Sequence, residues 1–332
     1  MPNANFDTLL STTLNNHRPR LTDNVFKDRV LSWFLLDKKR SRMDDGGVKI
    51  VEPLLYAAGQ AGSYSGWDQI NITPQTGGTA AEYPWKQLYA TVAISGLEKA
   101  QNSGENQVLN LVKTKVEQAE ETLKNNINTM LWGNGTGNSG KDWGGIAQAI
   151  SNTGVYGGID AAVDTWWRSH YVDVSGDAGV TAKTVTLEKL FSAINKSANG
   201  SDKVDGLFTN VDIYGEIEGL FQPQVQYQDV KAANAGFENL TVKGIPLYFD
   251  QAAPAERIFG INSKYLTVVG HKDVWFKSTG DDSTPAHSAH ATSGAGIAVD
   301  GTYRLILTYG NLTCRNRARH FLMDWIDIAG TA

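Results

Sequence analysis

Residues 105–131, ENQVLNLVKTKVEQAEETLKNNINTML, decide how the rest of the 332-residue chain is read. Val108, Val112, Val116, Ala119, Leu123, Ile127 and Met130 recur at spacings of four, four, three, four, four and three, the period that lines one face of an α-helix. Asn102 or Ser103 can cap its start, and Glu105 sits in the first turn, where the helix dipole favours an anion. Gly133, Asn134, Gly135 and Gly137 stop it. At 1.5 Å per residue such a helix is about 40 Å long, more than most single globular cores need. A heptad coiled coil is the competing reading, but the stripe covers fewer than four heptads and ends in glycines.

Upstream of the helix, residues 46–95 open at Gly46-Gly47 and carry two strand-like arms, Val48–Pro53 and Leu88–Ile94. The polar stretch between them contains Gly59, Gly62, Gly66, Gly77 and Gly78, which predicts one long β-hairpin excursion. A two-stranded ribbon has little core of its own, so it should pack on something else, with another subunit as the expectation. Trp67 and Trp85 in so thin an element point the same way; folding back onto the same chain is the alternative. The first 45 or so residues are polar, with one amphipathic stretch from Val25 to Leu36. From Arg18 to Arg42 the basic residues Arg18, Arg20, Lys27, Arg29, Lys38, Lys39, Arg40 and Arg42 face only Asp23, Asp28 and Asp37, so this arm is net +5 in a protein of formal charge -5. Such an arm can hold a polyanion without reading its sequence, the plainer alternative being a solvated extension.

Downstream, residues 141–270 mix the two periods. Leu187, Leu190, Phe191 and Ile194 mark one helix, and Val211, Tyr214, Ile217 and Leu220 another, with Val204–Thr209 between them as a buried strand. Further strands are expected at 241–242, 245–250, 257–261, 266–269, 303–309 and 318–325. The fold class is α+β.

The hydrophobic share of 41% is slightly low for an ordinary domain, yet nine Trp, twelve Tyr and eleven Phe are too many aromatic residues for a disordered chain. Its single cysteine, Cys314, excludes an internal disulfide framework. No run approaches the ~18 apolar residues of a spanning helix, and Met1–Asp7 lacks the pattern of a secretory signal; no membrane partner is expected.

Candidate chemistry is thin. Gly133-Asn134-Gly135-Thr136-Gly137 follows a helix instead of opening one, so it reads as a stop and not as a phosphate cradle. His287 and His290 have no third ligand nearby to complete a metal set. Cys314 with Arg315, Arg317, Arg319 and His320 could be a reactive thiol, though alternating basic residues on a strand explain the pattern equally. Trp166-Trp167-Arg168 could form a sugar-stacking platform, the basis, with the His287 loop, for a hydrolase or sugar-binding alternative. No catalytic residue, metal site or cofactor is expected, and no enzyme activity.

The order of parts resembles the Hong Kong 97-type major capsid proteins of tailed bacteriophages. The long helix followed by Trp143-Gly144-Gly145-Ile146 looks like that family's spine helix and the Gly-Ile turn after it. Leu207-Phe208-Thr209-Asn210 is similar to its strand-to-helix step, and Leu240-Thr241-Val242-Lys243-Gly244-Ile245-Pro246-Leu247 to its later strand entry, with Arg257–Tyr265 as the following strand pair.

The resemblance implies an N-terminal arm at 1–46, an extended hairpin loop at 47–95, a peripheral domain from 96–139 and 271–332 with its spine helix at 105–131, and an axial domain at 140–270. It further implies hexamers and pentamers of this chain closing an icosahedral shell around double-stranded DNA, with the basic arm on the DNA and Trp67, Tyr83, Trp85 and Lys86 on the inter-subunit loop. The virion capsid, assembled in the host cytoplasm, would be its location. There is no room for a scaffolding-like segment before the arm, so a separate scaffolding protein or none is expected, the former being the leading reading, together with a portal and, as an option, decoration proteins. Some members join a loop lysine to a neighbour's asparagine; Lys49 and Lys86 are available, but nothing around them matches a crosslinking motif, and no crosslink is expected. An encapsulin-like compartment enclosing cargo protein is the alternative of the same fold.

Overall fold

A computed structural model describes residues 29–37, 40–95, 97–98, 111–174, 185–221, 240–279 and 301–324. In chain order the elements are α1 (Val30–Leu36), β1 (Ser41–Asp44), β2 (Lys49–Leu55), β3 (Gly78–Pro84), β4 (Lys86–Ser95), α2 (Leu111–Trp132), α3 (Ile146–Ala149), β5 (Val155–Tyr156), β6 (Ile159–Asp160), β7 (His170–Asp173), α4 (Leu187–Ser197), β8 (Gly206–Thr209) and α5 (Val211–Phe221). They continue as β9 (Leu240–Val242), β10 (Ile245–Phe249), β11 (Ile258–Ile261), β12 (Leu266–His271), β13 (Lys277–Thr279), β14 (Gly301–Cys314) and β15 (Phe321–Asp324). The described residues divide into two units: 89–95, 97–98, 111–125, 276–279 and 301–307 form one, and the other described residues form the second.

In the smaller unit β13 pairs antiparallel with Leu305–Leu307 of β14. Lys115 of α2 bonds Ala93 O at 3.0 Å and Glu98 at 2.7 Å, fastening the first half of the long helix to the strand before it.

The larger unit is built on a six-stranded sheet of order β7-β15-β11-β8-β10-β9. Both faces are covered, which is why all four residues of β8, Gly206–Thr209, are buried. Leu207, Leu247, Ile258, Phe321 and Met323 meet Leu190, Ala193 and Ile194 of α4 and Ile213 and Ile217 of α5. On alternate positions Phe208 packs edge-on to Phe34 of α1 at 5.0 Å, and Phe259 meets Trp132, the last residue of α2, at 5.8 Å. The turn from β9 to β10 consists of Lys243 and Gly244, both at positive φ, the geometry of a two-residue hairpin turn.

Two differences from the sequence reading concern pairing. Lys49–Leu55 pairs with Gly78–Pro84, Ile50 opposite Tyr83 and Glu52 opposite Ala81, and not with Leu88–Ile94. β4 pairs with β14 instead. Alternation identifies a strand but not its partner: Ala81 and Tyr83 are the inward positions that fit beneath β2. The second difference is β15. Expected with the other terminal strands, it inserts between β7 and β11 because Phe321 and Met323 belong to that core. The long helix ends one residue beyond the predicted Leu131; its predicted start at 105 lies outside the described residues.

Candidate functional site

The hairpin base is where the sequence placed its inter-subunit residues, and it is fastened to its own chain by groups far apart in sequence. Glu52 is 1% exposed on the inner face of β2. Its carboxylate meets Arg42 Nη1 of β1 and Arg315 Nε beyond β14, both at 2.8 Å. Thr313 Oγ1 lies 3.4 Å from the same carboxylate. Arg42 also holds Asp44 through two 2.8 Å bonds.

One strand over, the Tyr83 hydroxyl donates to Cys314 O at 2.8 Å and accepts from Cys314 N at 3.3 Å. Burial pushes the Tyr83 phenol up, so it stays a donor. Glu82 N donates to Gly157 O at 2.9 Å. Gly157 has φ +62, and a Cβ there would lie 2.8–2.9 Å from Ala81 and the Tyr83 ring, so only glycine lets the 154–158 loop approach the hairpin. Asn311 completes the base: its Nδ2 donates to Pro84 O at 2.9 Å, and its Oδ1 accepts from Gly144 N at 2.8 Å.

The four predicted loop residues therefore separate. Tyr83 is buried in its own subunit. Lys86 Nζ is taken by carbonyls of Gly135, Gly140 and Asp142. Trp85 Nε1 donates to Gly47 O at 2.9 Å, its ring edge-on to His271. Only Trp67 stands free, 103% exposed, with Tyr64, Ile70 and Ile72 also exposed around it. The 56–77 tip thus exposes Tyr64, Trp67, Ile70 and Ile72 from a polar stretch at the end of an anchored stalk.

The arm separates in the same way. Arg18, Arg20, Lys27, Lys38 and Lys39 lie outside the described residues. Arg40 donates to Phe34 O and lies over the Phe34 ring at 3.8 Å, and Arg42 is committed to Asp44 and Glu52, so these two are structural rather than free to meet a polyanion. Arg29 closes the start of α1 without capping it through its side chain. Distant residues supply the caps instead: Leu31 N donates to Asp250 Oδ2 at 3.4 Å, and Ser32 N to Asn128 Oδ1 at 3.1 Å. Asn128 Nδ2 in turn donates to Asp250 at 3.1 Å. Asn128 sits on the buried face of α2, where its polarity hid its role from the periodic stripe.

The candidate thiol is not a nucleophile. Cys314 is fully buried, its Sγ 3.6 Å from His320 Nε2, and burial pushes it up to about 12. His320 Nδ1 accepts from Asn262 N at 3.1 Å, which places the ring proton on Nε2, facing the sulfur. Burial, helped by nearby Arg317, lowers this imidazole to about 3, so it is neutral. Arg317, fully buried, donates to Ala149 O, Gln148 O and Ser151 O at 2.8–3.0 Å and lies over the Tyr156 and Trp167 rings, closing the C-terminal end of α3. Trp167 is buried with its Nε1 on Tyr156 O, and Trp166 stacks on Tyr56, so the pair offers no open platform for a sugar. His287 and His290 lie outside the described residues. No group of three or more metal-ligating side chains occurs among the described residues, and no described helix is long and apolar enough to cross a membrane.

No curated protein sequence matches the chain. Among solved structures it is similar to the Cyanophage A-1(L) capsid asymmetric unit, at 17% identity over 94% of this chain and 97% of that one, with a TM-score of 0.70. It is also similar to the SrpI encapsulin of Synechococcus elongatus PCC 7942, at 10% identity over 98% and 97% of the two chains with a TM-score of 0.59. The capsid of Myoviridae Phage XM1 follows at 13% identity over 95% and 98%, with a TM-score of 0.54. At such identities these likenesses establish the fold, the Hong Kong 97-type capsid fold. The family rests on sequence: residues 88–321 match the SU10 major capsid protein model. A helix capped by Asp250 and Asn128 and a stalk locked at its base fit that match, and the chain belongs to the SU10 major capsid protein family as a structural component of a phage capsid.

Proposed function

We propose that this major capsid protein forms hexameric and pentameric capsomers that close an icosahedral shell around double-stranded DNA, assembled in the host cytoplasm. The observation that carries the reading is the hairpin: a stalk fixed at its base by Glu52 and Tyr83 presents Trp67, Tyr64, Ile70 and Ile72 to solvent at its tip. Large apolar side chains on a two-stranded ribbon are stable partners for another subunit, and burial between subunits supplies the area the ribbon lacks. Trp67 is the contact residue of this surface.

Arg18, Arg20, Lys27, Lys38 and Lys39 supply the positive charge for DNA, in contacts that ignore sequence and weaken with salt. The role is structural, without catalysis or cofactor. A separate scaffolding protein, a portal and decoration proteins are its further partners, and its shells carry no covalent crosslinks.

Electron microscopy of purified protein tests the assembly: closed shells are expected from the wild type and fewer from Trp67→Ser, whereas monomers under every assembly condition overturn it. The likeness to an encapsulin favours one second reading, a compartment that encloses protein cargo. Nuclease-protected DNA in isolated shells supports the phage reading, and cargo protein without DNA supports the other.

A further inference from the structure

The Lys86 ammonium is held as a metal ion would be. A lysine has three N–H donors, and three backbone carbonyls take them: Gly135 O at 3.2 Å, Gly140 O at 2.8 Å and Asp142 O at 2.5 Å. All three come from the loop that follows α2. That loop turns its carbonyls inward through four left-handed residues, Gly135, Asn138, Ser139 and Gly140, at φ +71, +48, +57 and +79. Asn138 and Ser139 are not glycines, and a backbone held there persists only where something compensates it. Carbonyl dipoles converging on one point repel one another unless a cation sits between them. Burial pulls the Lys86 ammonium below the ordinary lysine range, while the negative charge of Asp142 opposes that shift.

We propose that the Gly133–Asp142 loop is a monovalent-cation site that Lys86 fills from within its own chain. The atoms that touch the nitrogen are neutral carbonyl oxygens, which accept from it, with no carboxylate oxygen among them, the set that suits an alkali cation; magnesium and calcium sites bring carboxylates. Lys86 is therefore a tethered cation that ties the start of β4 to the end of α2. Its amine is withheld from acylation and from any isopeptide bond to a neighbour. The inference does not depend on what the shell encloses.

Two measurements on the full-length protein test it. An acetylating N-hydroxysuccinimide ester applied under native conditions, read by mass spectrometry, should modify Lys86 at least about tenfold more slowly than Lys49, whose side chain is 53% exposed. Labelling of Lys86 as fast as Lys49 overturns the proposal and requires no variant to fold. In Lys86→Ala the vacated site should take potassium: melting in potassium chloride should exceed that in choline chloride of equal ionic strength by about 2–4 °C. Wild type and Lys86→Met, whose side chains fill the space, should show no such difference. An identical salt response in wild type and Lys86→Ala overturns it. Neither readout involves shell formation, so failure here leaves the assembly reading standing, and the reverse.

Discussion

Arg315 Nε lies 2.8 Å from Glu52 Oε2 across 263 residues of sequence, and Arg42 reaches the other carboxylate oxygen at the same distance. The pair joins the hairpin stalk to the strand that returns at the end of the chain. Glu52 is buried, while Arg315 and Arg42 keep 43% and 30% of their side chains in solvent, so the partners differ in what their loss leaves behind. Glu52→Gln should lower the stability of the unassembled subunit by about 2–4 kcal/mol, since two guanidinium groups lose their countercharge in a confined site. Arg315→Ala should cost no more than ~1 kcal/mol, because its exposed end is already screened by water. Urea unfolding of both variants checks the order, and equal losses would mean the carboxylate is not the centre of the lock.

Asp250 and Asn128 cap a helix that begins some hundred to two hundred residues before them. Asp250→Ala removes the cap on Leu31 N and leaves the Asn128 amide without its acceptor, a combined loss of about 2–4 kcal/mol. Hydrogen exchange should quicken in Val30–Leu36 well before the six-stranded sheet is affected. Uniform exchange throughout would show that α1 is held by Phe34 packing alone.

Gly145 and Gly215 predict opposite outcomes for the same substitution. A Cβ on Gly145 would lie 2.1 Å from Gly133 O and 2.6 Å from Met130 O, both backbone atoms at the end of α2. Gly145→Ala should cost about 2–4 kcal/mol or prevent folding. Gly215 lies inside α5 with nothing within 4 Å, so Gly215→Ala should stabilise the unassembled subunit by up to ~1 kcal/mol. Thermal melting of the two variants reads both signs.

His320 fixes a pH dependence. In the unfolded chain the ring takes a proton near pH 6.5, whereas folded burial keeps it neutral down to about 3. Between those values the unfolded state binds the extra proton, so stability falls as pH drops through this window, by at most ~1.4 kcal/mol per pH unit. Above pH 6.5 this residue contributes no slope. His320→Gln should flatten the curve between pH 6 and 4.5 relative to wild type, whatever its starting stability. In the native protein the buried Cys314 thiol should resist disulfide reagents at pH 8 and react once denaturant opens the core.

The sequence alone determined those features that depend on periodicity and local chemistry. The apolar stripe gave the long helix, the 187–194 and 211–220 patterns gave α4 and α5, the stretch through Leu207 and Phe208 gave a buried strand, and the order of parts gave the family. These were legible because a helical or strand period is written in neighbouring residues. Partner choice was not. Nothing near Lys49–Leu55 says that Gly78–Pro84 pairs with it, that Tyr83 and Lys86 are spent within the subunit, or that β15 enters the six-stranded sheet. Nothing in the sequence singles out Glu52, Asn128 or Asp250, and Arg317 reads only as one of the basic residues around Cys314, yet all four are buried. A polar group can leave water only where its partners are waiting, and besides the nearby Arg42 and Ala252 those partners come from segments 96 to 263 residues away, brought together by the tertiary structure.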